Sequence, residues 1–535
     1  MTAQTPRTLS KSQVLASRQC QRRLWLEVNH PELRDLDNAM LQRLREGRRL
    51  EAITHELYPG GVLIDRDTPL QEALEKTAIH LQQTPRTPLF EATFSAHQVL
   101  VHADVIAQTH GGRILTEIKS STRVKPYHLI DCAIQHWVID AAGHPVNRVL
   151  LAHIDRRFNY RGDDDYAGLL RHADVTEPVT ALLPQVPRWV KAGLDTLGNS
   201  TEPAIGVGPH CTRPLACPFR RHCEPHGSEY PLSLLPDSGR IITQLRAEGI
   251  DDIRDIPDGR LHKPLHLRVK AATITGEPFV GPAIGDTLQA LPYPRYYLDF
   301  ETIQSAVPRW PYTHPYEQLP FQWSCHIEPA AGELEHAQFL DTSGESPLWA
   351  CAQSLLDALG TAGPVFTYSP FEKTVIRRLA VRFPDLAPRM HSLAERLYDL
   401  LPLVRAHYYH PAMKGSYSIK AVLPTIATDL SYEALGEVHD GVGAQIAYEE
   451  LIEPSTCMRR KASLVDALRR YCALDTLAMV RIVRFFAPTV SAPGEPVRTA
   501  DPYRDAGICQ LRPPIRRAND HGQCNHRCDL SFRPT

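Results

Sequence analysis

The feature that most constrains the fold is a short run with alternating acidic residues, Tyr297–Thr302, which reads YLDFET. Side chains alternate between faces along a strand, so Asp299 and Glu301 are predicted to share one face. Paired carboxylates repel each other and are costly to bury without cations. Bound metal ions would explain them, and a strand end whose acids face solvent is the alternative.

A second acidic motif, Tyr471-Cys-Ala-Leu-Asp475, follows late in the chain. On a helix, Tyr471 and Asp475 lie one turn apart on one face. Three carboxylates and a phenol brought together in this way can hold two divalent metals and position a water between them. This is the apparatus of two-metal phosphodiester hydrolysis, and it predicts a nuclease.

Glu372 has two interpretations. The run Ser369-Pro370-Phe371-Glu372 fits a capping box with proline in the first helical turn, which explains serine and glutamate without catalysis. Glutamate is also a hard oxygen ligand that could join the metal site. Asp399 is a weaker substitute ligand.

Residues 293–488 resemble the DnaQ-like DEDD exonucleases of the ribonuclease H-like class. The order of a DxE strand, hairpin strands, a further strand with a carboxylate beyond it and a late YxxxD helix carries the resemblance. It implies that Asp299, Glu301, Glu372 and Asp475 hold two Mg²⁺ or Mn²⁺ ions and that Tyr471 aligns the attacking water, as in the DEDDy subgroup. The chain departs from that family at Glu372, where an aspartate is usual.

The N-terminal half contains a second acidic pattern. Asp104 lies on one predicted strand, and Glu117 and Lys119 share a face of the next. The two carboxylates can bind Mg²⁺, and the lysine can stabilise developing negative charge or position water. A surface ion pair between Glu117 and Lys119 is the alternative.

Four cysteines bracket this region: Cys20, Cys211, Cys217 and Cys223. Four thiolates suit either an iron–sulfur cluster or zinc.

Residues 9–225 resemble the RecB-like PD-(D/E)XK nucleases with an iron–sulfur staple, as in AddB and the CRISPR-adaptation exonucleases. The resemblance implies a [4Fe–4S] cluster on the four cysteines, Asp104 and Glu117 as metal ligands, Lys119 as the catalytic lysine, and Gln135 in the following motif. The late cysteines are spaced Cx5C rather than CxxC, which leaves zinc open. Glu51 stands where the family commonly has a histidine, and His55 follows one turn later.

The overall charge offers no general attraction for nucleic acid, because 59 Lys and Arg face 61 Asp and Glu. Binding would need local patches, since the net field is weak. The candidates are Arg18, Arg22 and Arg23; Arg43, Arg45, Arg48 and Arg49; and Arg213, Arg220 and Arg221. A solvated helix face is the alternative for each of them. No apolar run is long enough to cross a bilayer, and the N-terminus lacks the apolar core of a signal peptide. We therefore expect a cytoplasmic protein with reduced thiols and no disulfides.

The patterns predict an α/β protein with a connector at 227–292 that contains one helix near 241–249, and a disordered tail at 489–535. The two resemblances imply a PD-(D/E)XK restriction-endonuclease-like domain at 9–225 and a ribonuclease H-like domain with a mixed sheet at 293–488. The expected function is a metal-dependent nuclease that acts on DNA ends or single-stranded DNA, from 3′ to 5′ in the C-terminal half, in repair, recombination or phage defence. An RNA-processing exonuclease, a nucleic-acid-binding scaffold with decayed sites, and a cluster that acts as a redox sensor are the alternatives.

Overall fold

The computed structural model describes residues 8–487, except 36, 84–85, 225–227 and 283. These residues belong to one compact unit. Helices and two mixed sheets alternate along it, so the predicted α/β class is confirmed. The tail predicted at 489–535 lies outside the described residues. None of the described helices is both long and apolar enough to cross a membrane.

The N-terminal part is built around a seven-stranded sheet of order β2-β3-β4-β5-β6-β7, with β1 pairing parallel to β4. Strands β3, β4 and β5 are antiparallel neighbours, and β5 pairs parallel with β6 across helix α5. The elements are β1 (Leu9–Ser10), α1 (Lys11–Gln19), α2 (Gln21–Asn29), α3 (Asn38–Leu57), β2 (Val62–Leu63), α4 (Leu70–Gln83), β3 (Leu89–Ala96), β4 (Val99–Thr109), β5 (Gly112–Lys119), α5 (Pro126–Ala141), β6 (Arg148–Ile154), β7 (Leu170–Asp174), α6 (Thr176–Thr180), α7 (Val186–Gly198) and α8 (Arg220–Cys223).

The segment between the sheets contains more structure than the single helix predicted near 241–249. Its elements are α9 (Ile241–Ala247), α10 (Pro264–Thr275), β8 (Phe279–Val280) and α11 (Ile284–Gln289). Helix α10 escaped prediction because it buries polar His266 and Thr273 beside Val269 and Ala272, so its sequence shows no clean apolar stripe.

The C-terminal part is built around a five-stranded sheet of order β11-β10-β9-β12-β13. Its first three strands are antiparallel, and β9, β12 and β13 are parallel. The elements are β9 (Arg295–Ile303), β10 (Leu319–Glu328), β11 (Glu335–Leu340), α12 (Leu348–Ala358), β12 (Val365–Thr367), α13 (Phe371–Arg382), α14 (Ala387–Glu395), β13 (Leu397–Asp399), α15 (Leu400–His407), β14 (Tyr408–Tyr409), α16 (Ile419–Val422), α17 (Gly441–Ile452) and α18 (Met458–Phe486).

The central strand β9 positions the C-terminal site. It lies between β10 and β12, and α17 and α18 pack against it. Its apolar side chains, including Leu298 and Phe300, are buried in the core that these helices close. Burial of this apolar surface fixes the strand, and the intervening acidic residues are carried with it.

Helix α3 joins the two parts of the molecule. Asn38 Nδ2 donates to Asp440 Oδ2 at 2.9 Å, and Gln42 Nε2 donates to Glu449 Oε1 at 3.1 Å. The buried carboxylate of Glu46 accepts the Ala306 backbone N–H at 2.6 Å. The helix therefore packs against α17 with one face.

The sequence predicts a helix that is capped by Ser10 or Ser12 and runs through Cys20 to Trp25, but the structure interrupts it at Cys20. Ser10 and Gln13 form a capping box that begins α1, as the sequence indicates. Cys20 is extended, with φ −165° and ψ 123°, and separates α1 from α2. The Gln19 side chain next to it donates to the carbonyls of His210 at 2.6 Å and Leu215 at 2.8 Å. These contacts bring the Cys20 region to the segment that holds the other three cysteines.

Candidate active sites

The C-terminal site is centred on the pair of acids on β9. One oxygen each of Asp299 and Glu301 and the sulfur of Cys472 all lie within 4.8 Å of one another. Asp299 is partly buried and Glu301 is buried. Both carboxylates lie at the edge of a cavity of about 390 Å³.

Acids from two helices complete the cluster. Glu372 from the first turn of α13 and Asp475 from α18 line the same cavity, and both are buried. Burial, followed by the charge of Asp475, raises the pKa values of Asp299 and Glu301. Burial also raises the pKa of Glu372 to about 7 and that of Asp475 to about 6. The sequence-predicted carboxylates thus meet at one place and repel one another there.

Two tyrosines and one lysine border these acids. Tyr432 OH donates to Asp475 Oδ1 at 2.5 Å. Lys420 Nζ donates to Tyr471 OH at 3.0 Å and to the His439 carbonyl at 2.7 Å. Burial and then Asp475 raise the pKa of Tyr471, so the phenol keeps its proton. Among the described residues that line this cavity, Lys420 is the one basic side chain.

Glu372 lines the cavity, and the capping box predicted around it is not formed, because Pro370 and not Ser369 is the N-cap residue of α13. Ser369 Oγ accepts the Phe371 N–H at 3.0 Å and donates to Glu372 Oε2 at 3.2 Å, a local contact of the kind a cap makes. The helix nevertheless begins at Phe371, with Pro370 as its N-cap residue. Asp399, the weaker substitute, caps α15 by accepting the Leu401 N–H at 2.9 Å and does not line the cavity.

Tyr432 and Cys472 were missed as site residues. Cys472 Sγ lies 3.8 Å from Asp299 Oδ2, whereas the sequence predicts a core or incidental thiol because Cys472 has no ligand-like spacing to other cysteines. Its position next to Tyr471 in the YxxxD motif is the signal that could have identified it. Tyr432 lies in a loop and gave no comparable signal.

The N-terminal site lies where β4 and β5 meet α5. Lys119 Nζ lies 2.5 Å from Glu117 Oε1 and 2.6 Å from Asp131 Oδ2. Gln135 Nε2 donates to Glu117 Oε2 at 2.7 Å, and Asp104 Oδ2 accepts the Ile118 N–H at 2.7 Å. The structure therefore brings together all four predicted residues, Asp104, Glu117, Lys119 and Gln135.

Two further residues at this site were missed. Lys11, the first residue of α1, places its Nζ 3.0 Å from Glu117 Oε1 and 3.2 Å from Asp131 Oδ1. Asp131 lies one helical turn before Gln135, and that spacing could have identified it. Lys11 lies far away in sequence and could not be found by spacing.

The surrounding charges move the pKa values of the two acids in opposite directions. Burial, and then the charge of Glu117, raises the pKa of Asp104 to about 8. Burial also acts to raise the pKa of Glu117, but Lys11 and Lys119 outweigh it and hold that pKa below its usual range. One acid is thus kept ionised beside another that holds its proton more tightly.

Helix α3 forms one wall of the N-terminal site. The cavity measures about 430 Å³, and Glu51 and His55 line it together with Asp104, Glu117 and Lys119. The resemblance singled out both of these α3 positions. Arg66 offsets the negative charge of two glutamates at this wall, because its Nη2 lies 2.9 Å from Glu91 Oε1 and 3.4 Å from Glu51 Oε2.

The four bracketing cysteines lie near one another, and all are free thiols. Cys217 and Cys223 pack against a small core of Trp25, Leu26 and Phe219. Burial raises the pKa of Cys223 to about 11, and the neighbouring Cys217 and Cys20 add to the shift. Burial likewise raises the pKa of Cys217, with contributions from Cys211 and Cys20.

Comparisons with known proteins add little about activity. Residues 296–418 match a family described as a domain of unknown function, DUF2779. No curated protein matches the sequence. The solved structure described as "Crystal structure of SSO0001" is similar over 38% of this chain and 81% of its own, at 16% sequence identity and a TM-score of 0.19.

Proposed function

We propose that this protein is a metal-dependent nuclease with two hydrolytic sites that acts on DNA ends or single-stranded DNA. The C-terminal site would remove nucleotides from 3′ ends in a ribonuclease H-like domain, and the N-terminal site would cleave in a PD-(D/E)XK domain. The sheet orders support both assignments. Numbered within its own sheet, the C-terminal part has strand order 3-2-1-4-5, and the N-terminal part pairs β5 with β6 across α5.

The observation that carries the proposal is the excess of acid around β9. Asp299, Glu301, Glu372 and Asp475 share one cavity with a single lysine, and their pKa values are all raised. Oxygen ligands of this kind suit Mg²⁺ or Mn²⁺, and two such ions would offset the repulsion. When bound, the ions would polarise the phosphodiester and lower the pKa of a bound water.

The remaining groups have roles that their own contacts support. Tyr471, which keeps its proton, can accept from Lys420 and donate to a water at the cavity edge. Lys420 fixes the phenol oxygen and brings a positive charge toward a phosphate. Tyr432 holds the Asp475 carboxylate in place through Oδ1.

The N-terminal residues fit a smaller metal site. Asp104 uses Oδ2 for the Ile118 N–H, which leaves Oδ1 available, and Glu117 is held ionised. Lys119 is buried among acids, and although burial acts to lower its pKa, Asp131 and Glu117 raise it overall. It therefore remains protonated and can stabilise negative charge on a phosphate.

The four cysteines would hold the cofactor of the N-terminal half. A [4Fe–4S] cluster takes one thiolate on each of four irons, and Cys20, Cys211, Cys217 and Cys223 supply four. Zinc on the same thiolates is the alternative.

The test compares variants of each site on labelled substrates in Mg²⁺ or Mn²⁺. Asp299→Asn should reduce 3′-end trimming of single-stranded DNA by at least about a hundredfold, and Lys119→Met should remove the products of the other site. Asp429→Asn, which alters an exposed ion pair with Arg481, is the matched control. Turnover that persists in the double variant Asp299→Asn/Lys119→Met would refute the proposal, and faster trimming of matched RNA would reassign the substrate.

A further inference from the structure

The wall of the N-terminal cavity contains exposed residues of α3 that take no part in the contacts described for its acidic residues. Arg43, Leu44, Gly47 and Arg48 of α3 line this cavity. We call these four residues the α3 site face. The opposite face of the helix holds Gln42 and Glu46, which bind the C-terminal part.

The two arginines of the α3 site face are available to a ligand. Both are exposed, and no hydrogen bond or ion pair involves either of them within the described residues. The other cations of this cavity behave differently, because Lys11, Lys119 and Arg66 are each paired with acids. Two free guanidinium groups at the mouth, above an acidic floor, offer contacts to phosphates while the floor takes metal ions.

Leu44 adds an apolar contact between the arginines. Its side chain is 49% exposed at the cavity wall. An unstacked base presents an apolar face that such a side chain can cover.

Gly47 is the second indication of a ligand. Glycine in the middle of a helix is unfavourable, so its presence needs a reason. Packing does not supply one, because a Cβ atom at Gly47 would meet no atom of the protein within 4 Å. The position lies between Arg43 and Arg48 on the cavity side, where a missing side chain leaves room for a chain to approach the helix backbone.

We infer that the α3 site face binds the sugar–phosphate backbone of one nucleic-acid strand that leads into the N-terminal site. Arg43 and Arg48 contact successive phosphates, the strand passes over Gly47, and one base packs on Leu44. The cavity that the strand enters measures about 430 Å³, which is the size of a small-ligand site. This inference rests on the proposed nuclease function and specifies how its substrate is held.

The test measures equilibrium binding of a fluorescent single-stranded oligonucleotide in EDTA at several salt concentrations. The slope of log affinity against log salt is negative, at about −0.7 for each phosphate contact with a single strand. Losing one contact should make the slope about 0.7 less negative, so Arg43→Gln/Arg48→Gln should make it about 1.4 less negative. Arg45→Gln is the matched control, because Arg45 lies on the same helix but lines a different cavity, beside Glu450. An unchanged slope in the double variant would overturn the inference.

Two further variants separate binding from folding. Gly47→Leu should weaken binding without lowering the melting temperature, because the added side chain fills open space and improves helix propensity. Leu44→Ala should weaken binding of an ordinary oligonucleotide about fivefold and leave an abasic one unaffected. Wild-type binding by Gly47→Leu would count against the α3 site face. DNA and RNA oligonucleotides of one sequence show which polymer is held.

The two proposals can fail separately. If the wild-type protein degrades DNA but Arg43→Gln/Arg48→Gln binds and cleaves like wild type, the α3 site face is wrong and the nuclease function stands. If the wild-type protein turns over no nucleic acid but the arginine variant still loses affinity, the nuclease proposal fails and the binding surface stands.

Discussion

Lys11 Nζ lies 3.0 Å from Glu117 Oε1, although the two residues are 106 positions apart in the sequence. Lys119 contacts the same oxygen at 2.5 Å, and both lysines also reach Asp131. Two lysines and two carboxylates thus form a closed ring of opposite charges. A metal ion at Glu117 Oε1 would compete with both lysines for this oxygen.

Replacing Lys11 with methionine should therefore separate metal binding from turnover. Lys11→Met removes a competitor for Glu117 Oε1, so Mn²⁺ should bind the N-terminal site more tightly in calorimetric titrations of protein that carries Asp299→Asn and Asp475→Asn. Cleavage at this site should still fall, by roughly tenfold, because a neighbouring positive charge is lost. Lys76→Met, which alters an exposed pair with Glu72, is the control. Unchanged Mn²⁺ affinity would show that Lys11 does not compete.

The acids around β9 should link metal binding to pH. The pKa values of Glu372, about 7, and Asp475, about 6, lie above the usual carboxyl range. The folded protein then holds protons that the unfolded chain has released. The contribution of these groups to the free energy of unfolding therefore falls as pH rises from about 4 to about 7.

Thermal melts in EDTA across this range check that sign. Asp475→Asn should flatten the pH dependence, whereas Asp174→Asn should not, because the pKa of Asp174 is about 2 and lies below the window. Mg²⁺ or Mn²⁺ must displace the same protons, so metal affinity should rise between pH 5 and pH 8. A melting temperature of the wild-type protein that rises toward pH 7 in EDTA would contradict the expectation.

Lys420 and Tyr471 should act as one unit. Their 3.0 Å hydrogen bond means that Lys420→Met disturbs the phenol as well as the local charge. Each of Lys420→Met and Tyr471→Phe should slow 3′-end trimming by roughly tenfold to a hundredfold, and the double variant should be little worse than either. Single-turnover rates of the wild type, the two single variants and the double variant give this double-mutant cycle. Fully additive losses would mean that the two side chains work independently.

The cysteine group should be needed for both colour and stability. Protein purified without oxygen should contain iron and sulfide and absorb visible light, and Cys20→Ser should lose the absorption and melt at a lower temperature. Cys457→Ser is the control, because Cys457 is exposed and lies at the N-cap of α18. Stoichiometric zinc in place of iron would reassign the group.

The elements that carry the sites could be predicted from sequence because their patterns are local. The sequence predicts strands at 89–94, 99–107 and 114–120 and a helix at 127–141, close to the observed bounds of β3, β4, β5 and α5. Strand β4 alternates in burial over most of its length, whereas β3 is a short run that is buried at six successive positions. The acids were found for the same reason, since their spacing within one strand or helix fixes their common face.

Other features could not be predicted from the sequence, either because their sequences resemble those of loops or because they depend on tertiary contacts. Helix α17 begins with Gly441 and Gly443, which suggest a turn, yet Asp440 caps it by accepting the Gly443 N–H at 2.6 Å. Lys11 reaches its site only because β1 pairs with β4 and places the start of α1 beside β5. No local pattern records such a contact.

The two-sided attachment of α3 has a consequence for dissecting the molecule. One face of this helix binds Asp440 and Glu449, and the other lines the cavity that contains Asp104. Cutting the chain between the two sheets would therefore remove about half of the contacts that hold the helix. Heating should accordingly melt residues 8–487 in a single calorimetric transition. Activities should therefore be assigned to the N-terminal and C-terminal sites in the intact protein and not in isolated fragments.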